Sequence, residues 1–112
     1  MKHPRRQDEK HLAFIRTLPS LVRGAGDVEA AHVRYSEMRY GKRLTGMAEK
    51  PDDCWTVPLA QSAHREQHAG SERAFWTRQG IDPLLIAALL YANSGDEDAC
   101  RTIIHNSRSI GR

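Results

Sequence analysis

The chain has 112 residues, with 17 lysines and arginines against 14 aspartates and glutamates, for a formal net charge of +3. That length fits one domain, residues 1–112, with a modest core, and no apolar run approaches the roughly 20 residues a membrane span needs. The positive excess permits a nucleic-acid partner without demanding one. Two cysteines, Cys54 and Cys100, are too few for a disulfide framework; they fit a reducing cytoplasm, with a single bridge between them left open.

The start, Met1-Lys2-His3-Pro4-Arg5-Arg6, is basic with no apolar segment behind it and does not read as a secretory signal. Residues 8–17 carry Leu12, Phe14 and Ile15 among polar neighbours and predict a short helix ending before Pro19. Residues 18–59 are punctuated by Pro19, Gly24, Gly26, Gly41, Gly46 and Pro51, with strands expected around 30–35 and 55–59. A helix follows from Gln61 and breaks at Gly70. Ser71 and Glu72 start another, which Gly80 ends. Asp82-Pro83 pairs an N-cap with a first-turn proline and opens an apolar helix, Leu84 to Asn93, expected to be buried. The last helix, about Asp96 to Asn106, has acids at its start and basic residues near its end, as the macrodipole prefers. Ser107–Arg112 is expected to fray. The anticipated core draws on Phe75, Trp76, Leu84, Leu85, Ile86, Leu89, Leu90 and Ile103; helix 84–93 and its successor serve a dimer interface equally well.

The chemistry-bearing residues are histidines. His64 and His68 are four apart, on one face of the expected helix, where two imidazoles can grip one metal ion. His32, on the first expected strand, is positioned to activate water beside that ion. Arg34, two residues on, shares the strand face of His32 and suits either the scissile phosphate or a structural ion pair. Arg34, Arg39, Lys42, Arg43 and Lys50 outnumber Glu37 and Glu49 over the following stretch, interleaved with Tyr35, Tyr40, Gly41 and Gly46. Alone this is a solvated loop; beside a metal site it reads as a phosphate-contacting segment. His3, His11 and His105 read as terminal, surface or packing, and dipole-complementing residues, Met38 and Met47 as loop packing, and Trp76 as core.

Strand, loop, strand and a histidine-bearing helix make a ββα arrangement. With Leu18-Pro19, Ala30-Ala31-His32-Val33-Arg34, Tyr40-Gly41-Lys42, Thr45-Gly46-Met47, Lys50-Pro51-Asp52-Asp53, Trp55, Pro58-Leu59, His64-Arg65-Glu66-Gln67-His68, Glu72-Arg73-Ala74-Phe75-Trp76 and Gly80-Ile81-Asp82-Pro83, the chain resembles the HNH (ββα-metal) endonucleases. The resemblance covers roughly residues 11–92 and is to the small phage and prophage branch that includes the RecA-dependent nuclease type. It implies an α+β fold, mostly α: a ββα finger over about 28–70 embedded in a helical domain whose C-terminal part spans about 71–106. It implies a metal-dependent DNA endonuclease in phage or prophage DNA metabolism, with His32 as general base and His64 and His68 as ligands of a divalent ion (Mg²⁺, Mn²⁺, Ni²⁺ or Zn²⁺). The partners it implies are DNA and a recombinase filament or other DNA-processing protein.

The chain departs from the family pattern in two respects. The residue before the base, often a metal ligand, is Ala31 here; Asp53, and next Asp52, become the preferred third ligands because carboxylates suit Mg²⁺ and Mn²⁺, with a turn or cap role as the plainer alternative. Glu66 points away from the histidine face, and Trp55 stands near the family's central asparagine. Relatives also hold a structural zinc with paired cysteines at positions that read Ser20, Arg23, Ala60 and Ala63 here. None offers a thiolate, so no structural zinc is expected. The alternative to an enzyme is a catalytically silent nucleic-acid-binding or adaptor module that keeps the ββα shape; survival of all three histidines favours the enzyme.

Overall fold

Two antiparallel strands, β1 (Val28–His32) and β2 (Thr56–Ala60), form the sheet of the computed structural model, which describes residues 7–35 and 52–111. Their register runs from Val28 opposite Ala60 to His32 opposite Thr56. Pro58 sits mid-strand, where the missing N–H is tolerated only on an edge. Its carbonyl accepts from the Leu21 amide at 2.8 Å, so its backbone faces away from β1. All five β2 residues are buried, with α1 (Glu9–Ile15), α2 (Gln61–His68) and α4 (Pro83–Ala92) packed against the strand. With α3 (Glu72–Gln79) and α5 (Glu97–His105), the described residues make a mixed α+β fold that is mostly helical. None of these helices is long and apolar enough to cross a membrane.

Local chemistry sets the helix boundaries. Asp8, Ser71, Asp82 and Asp96 each cap a helix, their side chains accepting from the amides of His11, Ala74, Leu85 and Ala99, which satisfies otherwise orphaned first-turn donors. Gly80 closes α3 in the left-handed conformation, φ 68°, which a side chain would strain. α2 has no side-chain cap: it follows β2 directly, and its first donors, the Gln61 and Ser62 amides, bond to the carbonyls of Asp27 and Ala25.

Three expectations shift. β1 ends at His32, not near residue 35, because the Arg34 and Tyr35 amides leave the sheet for the Glu72 carboxylate, at 2.7 and 3.3 Å from Oε1. Residues 107–111 are held in place: Ser107 is buried, Ile110 packs on the core, and Arg108 donates to the Gln79 carbonyl at 3.0 Å. In α4, Leu84, Ile86, Ala87 and Leu90 are buried, whereas Leu85 and Leu89 are half-buried and Tyr91 is exposed. Phe75 and Trp76 are both in the core, in edge-to-face contact, and Ile104 is more deeply buried than Ile103. Cys54 and Cys100 are not bridged to one another.

Candidate active site

The carbonyl and side chain of Asp53 both serve as anchors. Its carbonyl accepts from Thr56 Oγ1, and Oδ2 accepts from the Asp8 amide at 2.7 Å. Oδ1 lies 2.9 Å from His32 Nε2, with Asp53 1% exposed. A carboxylate accepts, so the neutral imidazole carries its proton on Nε2 and its lone pair on Nδ1. The start of α1, the turn before β2 and the end of β1 are thereby tied around one imidazole.

A second carboxylate holds the helix pair. Glu29 Oε1, on β1, lies 2.8 Å from His64 Nδ1, which presents Nε2 as the remaining ring donor atom. The His64 and His68 rings lie 4.8 Å apart between centroids and tilted by 50°. Desolvation holds the His68 pKa below its usual value, and the positive charges of His64 and Arg34 push the same way; the ring therefore favours the neutral form that binds metals. Side-by-side imidazoles, one braced by a carboxylate, are a donor set suited to a divalent first-row ion.

His32, Arg34, His64 and His68 all line one cavity of about 440 Å³, with Ala30 at its strand side. α1 completes it with Glu9, Leu12 and Arg16, whose spacing puts them on one helix face. His32 and Arg34 thus share a wall, as the alternation along the strand predicts, although Arg34 lies just past β1.

Asp53, the preferred third ligand, is placed against His32 and the start of α1. Among the described residues, no three His, Cys, Asp or Glu side chains converge to hold a metal ion, and the Asp53 carboxylate is bound to His32 and the α1 cap. Asp52 closes a turn, its carbonyl accepting from the Trp55 amide, and Glu66 is exposed. Arg39, Lys42, Arg43 and Lys50 lie outside the described residues. Sequence reading missed Glu29, Glu72 and the α1 wall. Only the α1 wall left a signal, the 9-12-16 spacing.

The segment around Ser20 and Gly24 meets the junction of β2 and α2. Ser20 Oγ accepts from the Ala60 amide at 2.7 Å, and a Cβ built on Gly24 would meet Ala60 and Ala63 at 3.2 Å. A direct, close-packed joint stands there.

No curated protein and no solved structure matches the chain. One family model does, over residues 1–94, and it is described as a protein of unknown function. The chain belongs to the DUF968 family.

Proposed function

We propose that this chain is a metal-dependent DNA endonuclease of HNH type, hydrolysing phosphodiester bonds. One observation carries the reading: His32, Arg34, His64 and His68 line a single cavity, and the first and third of them are each oriented by a carboxylate. His64 and His68 would hold the ion; when bound, it neutralises charge developing on the phosphate and on the departing 3′ oxygen. Arg34 holds a phosphate oxygen as a charged donor. Nδ1 of His32 takes a proton from water as the water oxygen bonds to phosphorus and the bond to the 3′ oxygen breaks, and solvent protonates the leaving oxygen. Asp53 fixes the ring's tautomer and steadies the imidazolium that forms, a positioning role.

The test is incubation of purified protein with supercoiled and single-stranded DNA in Mg²⁺, Mn²⁺, Ni²⁺ or EDTA, with His32→Ala alongside. Metal-dependent nicking absent from His32→Ala is the expected result. DNA binding without nicking in any metal would instead favour the silent binding module.

A further inference from the structure

A second cavity, also about 440 Å³, shares Arg34 and His68 with the first, so these two side chains form the wall between them. Gln67, Tyr35, Glu72 and Arg73 line the rest of it, with the turn at Gly70 and Ser71. Gln67 is fully buried, and its Nε2 donates to Glu72 Oε2 at 3.0 Å. That bond fixes the amide's orientation, because turning it over would set the amide oxygen against a carboxylate. Gln67 Oε1 is then a buried acceptor with no hydrogen-bond partner. Such an atom carries its full desolvation cost unless a donor reaches it. In the same cavity, the Arg73 guanidinium lies over the Tyr35 ring, 4.3 Å from its centroid, making a cationic and aromatic wall.

A volume of this size is of the order that small ligands occupy. The Glu72 carboxylate disfavours phosphate in it, whereas an aromatic and guanidinium wall favours a planar ring. We propose that this cavity takes the base of the nucleotide adjoining the phosphate held in the first cavity. Gln67 Oε1 accepts from that base's exocyclic amino group. The proposal rests on the nucleic-acid reading above. It also sets a preference: an amino group brings only hydrogens toward Gln67 and Glu72, whereas the N3–H of thymine arrives flanked by carbonyl oxygens that face the carboxylate.

The experiment is fluorescence anisotropy on the full chain in EDTA, with labelled oligo(dC) and oligo(dT) of equal length, so that binding is read without cleavage. The expected result is oligo(dC) binding about fivefold more tightly than oligo(dT), the scale of one added hydrogen bond. In Gln67→Met, with its fold checked by thermal melting, the ratio should collapse to about one. Arg73→Gln, at an exposed position, should weaken both oligonucleotides and narrow the ratio. Equal binding of both by the parent protein would overturn the base pocket while leaving the nucleic-acid reading in place. An undiminished ratio in folded Gln67→Met would overturn the assignment of Gln67. Failure to bind either oligonucleotide or supercoiled DNA would overturn both readings together.

Discussion

His32 and Asp53 stand 21 residues apart in sequence, yet a 2.9 Å hydrogen bond joins the imidazole to a carboxylate that is 1% exposed. Asp53→Asn keeps the shape but offers an amide that no longer enforces one tautomer. DNA nicking in Mn²⁺ should fall by roughly 10²- to 10⁴-fold, the scale seen when a histidine base loses its orienting carboxylate. Metal affinity should stay within about twofold, because Asp53 is bound to His32 and the α1 cap. A large loss of metal affinity in Asp53→Asn would restore it as a ligand and sink the positioning role.

The second carboxylate–histidine pair gives the opposite pattern. His64→Ala and His68→Ala should each weaken Mn²⁺ or Ni²⁺ binding in a calorimetric titration. Glu29→Gln should weaken it by about tenfold, as expected when a ligand's supporting partner is lost. His32→Ala should leave the titration nearly unchanged. Equal metal affinity in Glu29→Gln and the parent would reduce the 2.8 Å contact to His64 to a surface pair.

His11 supplies a pH signature independent of the metal. It is 1% exposed, with Nδ1 2.7 Å from Ser94 Oγ and its ring edge-on to Tyr91. Desolvation depresses its pKa below the ordinary 6.5, against the opposing pull of Asp8 and Asp53. The unfolded chain therefore takes up a proton near pH 6.5 that the folded chain refuses. Stability is complete above that pH and declines as pH falls toward the folded pKa, with a slope of at most about 1.4 kcal/mol per pH unit for one site. His68, whose pKa is also lowered, adds a decline of the same sign. Denaturant melts of His68→Ala and of His68→Ala/His11→Phe between pH 7.5 and 5.5 should differ in slope, the double variant being flatter. Parallel slopes would refute the assignment to His11.

What the sequence made legible was local. Asp82-Pro83, Ser71 and Gly80 mark helix ends because a cap bonds within its own turn, and His64 and His68 share a face because four residues make about one turn. The errors came from long-range partners. β1 stops early because of Glu72, 38 residues from Arg34; the tail is held by Gln79, 29 residues from Arg108; and the Asp53 carboxylate meets Asp8 and His32, 45 and 21 residues away. No spacing rule encodes these contacts, since each depends on the completed packing of separate elements.

The joint at Ser20 and Ala60 gives a stability prediction that no metal enters. The Ala60 amide lies at the junction of β2 and α2, the residue is 3% exposed, and Ser20 Oγ satisfies its N–H. Ser20→Ala leaves that donor buried and unmet, a cost of about 1–3 kcal/mol. For a chain of this size it should lower Tm by roughly 4–8 °C per kcal/mol. Gly24→Ala should also destabilise, because its new Cβ would stand 2.8 Å from Ser62 Oγ, the same hydroxyl that accepts from the Ala25 amide. EDTA should not unfold the parent and should lower its Tm by no more than the linkage of an active-site ion, since the joint is hydrogen-bonded and close-packed rather than tied by thiolates. A drop of many degrees on chelation, reversed by Zn²⁺, would show that a structural metal holds this corner after all. Calorimetry of the parent with and without EDTA, beside Ser20→Ala, separates the two accounts, because only the packed joint makes the Ser20 hydroxyl matter while the chelator does not.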